Sequence, residues 1–334
     1  MAKKSLQFYS GIGGQAVLEG VMMRNKENFA VAVRLEDGGL SVDHDVYHGV
    51  LEGTIFKKIP FLRGFFVFID SLMLGMKALN HSTRHFVEET EEETKADAAL
   101  DKVSKGHGER IIMALTTVIS FALAIGIFMI LPFFIARAFR TFVRSALLMS
   151  IIEGVTRILI FVLYILLISR MNDIKRLFQY HGAEHKCINC IESGRDLTVD
   201  NVLASSKLHK RCGSSFMLYV MVVSIVLFFF IRTESVIMRV LWRLILIPVI
   251  SGISYEIIAL AGKSDNALVR ILSAPGFWMQ GLTTKEPDRS MVEVGIASVE
   301  AVFDWKAFQR EHFGKFSEEE SACVAPDTDG VIRM

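Results

Sequence analysis

Four apolar blocks between residues 111 and 262 leave this chain few folds to choose from. The first, residues 111–136, carries no formal charge. At 1.5 Å of rise per residue, roughly 20 helical residues cross the hydrocarbon of a bilayer, so the block is long enough. The second, residues 145–169, contains Glu153 and Arg157. The third is 214–231, and the fourth, 240–262, contains Arg243, Pro248 and Glu256. Apolar residues make up 51% of the 334 positions, with mean hydropathy +0.40, and they are gathered in runs rather than interleaved with polar ones. That pattern points away from an ordinary soluble domain. The expected fold is an α-helical polytopic membrane protein with four transmembrane helices, a small N-terminal β-hairpin element and amphipathic cytoplasmic helices.

Lysine and arginine counts orient these spans. Residues 137–144 hold Arg137, Arg140 and Arg144, and residues 232–243 hold Arg232, Arg239 and Arg243. Residues 170–213 hold eight: Arg170, Lys175, Arg176, Lys186, Arg195, Lys207, Lys210 and Arg211. The positive-inside tendency puts 170–213 in the cytoplasm, together with both termini. The expected location is the plasma (inner) membrane of a bacterium, multi-pass. The start, MAKKSLQFYSGIGGQ, is basic but no apolar core follows within 30 residues, so it does not read as a signal peptide. Net charge of +1 gives no case for nucleic acid as a partner. The expected partners are the lipid bilayer and a second copy of the chain.

Five segments follow. Residues 1–58 are a Gly-rich stretch (Gly11, Gly13, Gly14) and a β-hairpin, read from alternation over 30–47 around Asp37-Gly38-Gly39. Residues 59–110 are an interfacial amphipathic helix over 59–80 and a charged linker. Residues 111–262 are the four-helix membrane domain with its loop 170–213. Residues 263–316 are a cytoplasmic segment, loop-like to 289 around Pro275-Gly276 and then one amphipathic helix over 290–313. Residues 317–334 read as a disordered tail.

Chemistry concentrates in LFQYHGAEHKCINC, residues 177–190. His181, Glu184 and His185 spell H-x-x-E-H, the inverted form of a metalloprotease helix motif. On a helix, positions four apart share a face, so both imidazoles reach one ion while Glu184 takes a proton from a water there. His209 or Cys212, in LHKRCGSSF, is expected to complete the ligand set, and softness favours zinc or iron over magnesium, with zinc the expected ion. Lys186 and Arg211 are candidates to stabilise a developing oxyanion or hold an anionic head group. Cys187 and Cys190 form a CxxC, and four cysteines in this arrangement make no disulfide framework. The bland alternative is a hydrogen-bonded polar cap with Cys212 as a small buried hydrophobe. Intramembrane charges are a second signal: Glu153 and Arg157 lie one helical turn apart, and Glu256 has no local partner. Glu19 and Arg24 become site residues only if the N-terminal segment folds back onto the loop.

Four strings carry a family resemblance: GGQAVLEGVMMR at 13–24, FQYHGAEHK at 178–186, RCGSSF at 211–216 and LSAPGFWMQGLTTKEP at 272–287. With them the chain resembles domain of unknown function 1385, the YqhQ-like bacterial membrane proteins, from residue 10 to about 305. The resemblance implies a metal-dependent membrane enzyme with no settled reaction, and it supports His181, Glu184, His185, His209 and Cys212. The chain departs from the family pattern at Cys187, usually threonine, at Cys190, usually not cysteine, and at Lys210, often proline. That removes weight from the CxxC.

The leading expectation is a metal-dependent hydrolase at the cytoplasmic membrane surface. A transporter using Glu153, Arg157 and Glu256 is the first rival. A membrane scaffold or assembly factor using the helices over 59–80 and 290–313 is the second.

Overall fold

The computed structural model describes residues 7–86, 108–231, 233, 235–263 and 266–316. Most of the charged linker expected over 81–110, and the expected tail from 317, lie outside the described residues. The chain divides into two compact units, one built from 1–85, 166–223 and 246–334, the other from 86–165 and 224–245.

The first unit opens with four strands, β1 (Gly13–Val17), β2 (Gly20–Asn25), β3 (Asn28–Arg34) and β4 (Leu40–Val46), in an antiparallel meander of that order. The expected hairpin is its β3–β4 half, with Val31 opposite Asp43. The sequence reading missed the other half, because β2 is buried along most of its length and shows no alternation. Gly20 admits no side chain: a Cβ there would lie 2.3 Å from the Ala32 carbonyl oxygen.

Helix α1 (Leu62–Thr83) matches the amphipathic stretch expected over 59–80. It buries Gly64, Leu74, Gly75, Ala78 and Ser82 at helical spacing, and it leaves Leu72, Met73, Met76 and Leu79 about half exposed on another face. Asp70, which reads as an interruption, is buried and accepts the Val50 amide at 2.6 Å.

Among the described residues, two helical stretches are long and apolar enough to cross a membrane: Leu115–Thr141 and Leu147–Ile168. The first comprises α2 (Gly108–Ile125), a π-helical turn (Gly126–Ile130), α3 (Leu131–Ala138) and a final 3-10 turn. The second is α4 (Ala146–Ile168). The other two apolar blocks make shorter helices than expected. After α5 (Asn172–Glu192) and the short α6 (Val199–Leu203) comes α7 (Gly213–Phe228), whose 16 residues reach only about 24 Å. The fourth block is split into α8 (Val236–Ile245) and α9 (Ile247–Lys263). Pro248 stands just inside α9, where its ring and missing N–H prevent continuation from α8. Where four spans were expected, the described residues show two helices of spanning length.

The C-terminal region is more helical than the sequence suggested. Residues expected to be loop-like form α10 (Ala267–Thr283), capped by Asn266, whose side chain accepts from the Val269 amide. Pro275-Gly276 reads as a turn but lies inside this helix. Gly276 is there for close approach, since a Cβ would meet Ser215 Oγ at 2.8 Å and Tyr219 Oη at 3.1 Å. The single helix expected over 290–313 is two, α11 (Arg289–Glu300) and α12 (Trp305–Phe313), with Asp304 capping the second. The core of the unit gathers Val21, Met23, Ala30 and Ala32 of the sheet, Tyr180, Ala183, Cys187 and Ile191 of α5, and Met291, Val294 and Val299 of α11.

Candidate functional site

Helix α5 carries the H-x-x-E-H residues as expected, and it does so from within the core. His185, Glu184 and Cys212 are each at most 5% exposed. Gly182 lets the helix come close to the segment after α10: a Cβ there would stand 2.0 Å from the Lys285 carbonyl oxygen. The Nδ1–H of His181 donates to the Thr283 carbonyl at 2.9 Å, and that of His185 to the Lys207 carbonyl at 2.6 Å. A carbonyl only accepts, so both rings must carry their proton on Nδ1 and keep Nε2 for something else. His181 Nε2 lies 3.2 Å from Cys212 Sγ, and the two imidazole centroids are 4.4 Å apart. One ligand atom each from His181, His185 and Cys212 falls within 4.8 Å of the others, a spacing that one ion can bridge.

The electrostatics favour a thiolate. Burial alone would push the Cys212 thiol up, but the facing His181 and His185 imidazoles win and hold it well below the usual thiol range. Burial alone would lower His181; the Cys212 sulfur, with Glu184 behind it, outweighs this and lifts it to about 9. Burial raises the Glu184 carboxyl above its ordinary value against the pull of both imidazoles. Glu184 also accepts the Gly14 amide, and a Cβ on Gly14 would stand 2.9 Å from its Cγ. The Gly-rich strand β1 therefore closes over the motif.

His209 is buried but turned elsewhere. Its Nε2 lies 3.6 Å from Glu192, which also binds Arg211 at 2.5 Å and the Ser10 amide and hydroxyl at 3.0 and 2.9 Å. Of the two candidates to complete the ligand set, geometry selects Cys212. Burial would raise the Glu192 carboxyl, but the His209 hydrogen bond and Arg211 hold it at about 2. A depressed carboxylate contributes stability above its unfolded value, near 4.5, and loses it as pH falls toward 2. With Glu192 almost fully buried, that contribution is of order 3 kcal/mol. Glu192→Gln is expected to remove it, so that acid unfolding followed by circular dichroism depends less steeply on pH between about 4.5 and 2 than in the unaltered chain.

The remaining candidates are placed apart from the His–Cys cluster. The Lys186 ammonium is held by the Leu203 and Ser205 carbonyls at 2.7 and 2.9 Å and by Glu286 at 2.9 Å. Arg211 is held by Glu192 and stacks 3.8 Å over the Tyr9 ring. Both therefore position chain segments, where an oxyanion role was expected. Glu19 fixes β1–β2 to α5 through Arg176 and the Tyr180 hydroxyl. Arg24 donates to the Lys26 carbonyl and lies over Tyr47. Glu256, which lacked a partner in the sequence reading, forms a two-pronged pair with Arg63 of α1 at 2.7 and 2.6 Å. Glu153 and Arg157 belong to the second unit, where Glu153 pairs with both Arg157 and Arg243.

The CxxC faces the core. Cys187 Sγ fills the space opposite Gly295, where a Cβ would lie 2.9 Å away, and Cys190 points at the carbonyls of Arg195 and Asp196. Burial pushes the Cys187 thiol well up. A Cys187→Ala/Cys190→Ala chain is expected to keep the metal content of the unaltered protein by elemental analysis, at a stability cost of about 1–3 kcal/mol.

Several contributors escaped the sequence reading. Gln280, 1% exposed, accepts the His209 amide at 2.8 Å and donates to the His209 carbonyl at 2.7 Å and to Ser215 Oγ at 2.8 Å. It thereby pins both sides of the turn that delivers Cys212. The only sequence signal for it was its place in the family string at 272–287.

A mostly helical protein with a small antiparallel sheet, closing over a buried His–His–Cys group beside a carboxylate, is the class these features define. The chain belongs to the DUF1385 family, described as a protein of unknown function, whose profile matches residues 59–305. It is 37% identical over 302 residues to the uncharacterized protein YqhQ of Bacillus subtilis (strain 168), covering 90% of this chain and 94% of the relative. No solved structure matches it.

Proposed function

We propose that this protein is a metal-dependent hydrolase of the bacterial plasma membrane, acting at the cytoplasmic face. The observation that carries the proposal is the orientation of both imidazoles: Nδ1–H groups anchored on the backbone carbonyls of Thr283 and Lys207, with the opposite ring edges turned to Cys212. Metal-binding histidines are oriented in this way by outer hydrogen bonds. Two imidazoles and a thiolate suit zinc. Among the described residues the group has three members, and a three-ligand set is the type that leaves a position open for chemistry. A divalent ion bound there supplies Lewis acidity for activating a water.

Glu184 is the general base in this scheme. It is buried beside all three ligand residues, outside their group, and its carboxyl is raised toward the range in which a base works at neutral pH. Membrane placement rests on the two spanning-length helices and on the exposed Leu72, Met73, Met76 and Leu79 of α1, a stripe suited to a lipid surface. An even number of spans before or after the motif keeps both termini on the lysine- and arginine-rich side with residues 170–213.

Elemental analysis of the detergent-purified full chain tests the proposal. About one zinc per chain is expected in the unaltered protein and in Glu184→Gln, and none in His185→Ala. Hydrolysis of fluorogenic ester and phosphoester probes is expected to fall about 10²–10⁴-fold in Glu184→Gln. Unaltered protein without metal, or His185→Ala retaining it, would overturn the metal centre.

A further inference from the structure

The second unit encloses a cavity of about 690 Å³ with a marked excess of positive charge. Arg137, Arg140, Arg144, Arg157 and Arg243 line it, and Glu153 is the one carboxylate among its described lining residues. Arg157 and Arg243 are 5% and 4% exposed, and both bond the same Glu153 Oε1. Two buried guanidiniums thus share a single carboxylate, leaving an excess of positive charge removed from water.

The backbone has already been recruited to help. Arg157 Nε donates to the Phe128 carbonyl and Arg243 Nη1 to the Met129 carbonyl, each at 3.1 Å. Phe128 lies four residues before Pro132, which has no N–H to offer it, and both carbonyls belong to the π-helical turn Gly126–Ile130. Both guanidiniums also lie over the Phe228 ring, at 5.3 and 4.8 Å. Even so, Arg243 Nε is buried with no hydrogen-bond partner among the described residues. The exposed Arg137, in the last turn of α3, and Arg140 and Arg144, in the connection after it, add three more forks.

We infer that this cavity binds a phosphate group. Several guanidinium forks converging from different directions match the oxygens of a tetrahedral phosphate, which accepts paired N–H donors on more than one side. The volume is that of an organic ligand's pocket, and Phe133, Leu147, Ile225 and Phe229 furnish apolar wall beyond the arginines. The phosphate therefore comes either from a phospholipid headgroup or from a free phosphate. The lipid source rests on the membrane placement proposed above; the phosphate chemistry stands without it, and without the metal centre.

The test uses the full chain in neutral detergent and in nanodiscs. One probe is radiolabelled inorganic phosphate in equilibrium dialysis. The other is phosphatidic acid against diacylglycerol, scored as retained adducts by native mass spectrometry. Saturable binding of inorganic phosphate or of phosphatidic acid is expected, with diacylglycerol not retained. Arg140→Gln/Arg144→Gln, on the exposed rim, is expected to weaken that binding about tenfold or more. Glu153→Gln, which removes the competing carboxylate, is expected to tighten it several-fold. Binding of inorganic phosphate alone names the free ion as the source, and binding of phosphatidic acid alone names the lipid. The inference is overturned if neither probe binds, if diacylglycerol is retained equally, or if the rim variant binds as the unaltered chain does. Metal content is expected to be unchanged in the rim variant, so failure here is separable from failure of the hydrolase proposal.

Discussion

Chelation is expected to lower the melting midpoint of the full-length protein by about 5–10 °C, and to leave the midpoint of His181→Ala/His185→Ala where it stands. The size follows from linkage. A ligand that binds only the folded chain stabilises it by about 2.7 kcal/mol at a hundred times its dissociation constant. For a protein with a folded unit of a few hundred residues, each kcal/mol moves the midpoint by about 2–4 °C. The direction follows from the site: without an ion, the His185 imidazole and a charged His181 paired with the Cys212 sulfur are left buried against one another. Differential scanning fluorimetry with and without a chelator measures the shift. Equal shifts in the unaltered and doubly substituted chains would show that the chelator acts elsewhere, and no shift in either would count against a resident ion.

Parts of this site were legible in the sequence because they are local. The i, i+4 spacing of His181 and His185 places both on one face of any helix, and the structure supplies that helix. Cys212 was one of two candidates delivered by the same short segment, and choosing between it and His209 needed the position of Glu192. The features that orient the imidazoles were not legible. Their acceptors are the backbone carbonyls of Lys207 and Thr283, and a carbonyl has no residue identity to read.

The same contrast runs through the fold. The β3–β4 hairpin shows in the alternation around Asp37-Gly38-Gly39, whereas β2, with its first four residues buried, shows no period. Apolar blocks mark helices well but not their ends: α7 stops at Phe228, and the fourth block breaks ahead of Pro248. The converse error came at Pro275-Gly276, where tertiary packing of α10 against Ser215 and Tyr219 overrides local turn preference. Glu256 has no local partner in the sequence, where Arg243 or Arg157 was the expected ion-pair alternative, because Arg63 is distant in sequence (|i−j|=193), on another helix.

Gln280→Leu is the substitution outside the His–Cys cluster expected to cost most. The side chain is similar in volume, so packing survives, but the buried amide and carbonyl of His209 and the Ser215 hydroxyl lose their partner together. Each buried group left unsatisfied costs about 1–3 kcal/mol, so a loss of about 3 kcal/mol or more is expected. The consequence should reach the cluster, because the pinned turn runs from His209 to Ser215 with Cys212 between them. Loosening it moves Cys212 while α5 holds His181 and His185. Gln280→Leu is therefore expected to bind zinc at least tenfold more weakly than the unaltered chain, as well as to melt earlier. Ser215→Ala, which deletes a single hydrogen bond from the same network, is expected to lose about 1 kcal/mol and keep its metal. Competition against a zinc-binding dye reports the affinities. If Gln280→Leu loses stability yet holds zinc as the unaltered chain does, Cys212 is positioned by α7 alone, and the 209–215 turn has no part in building the site.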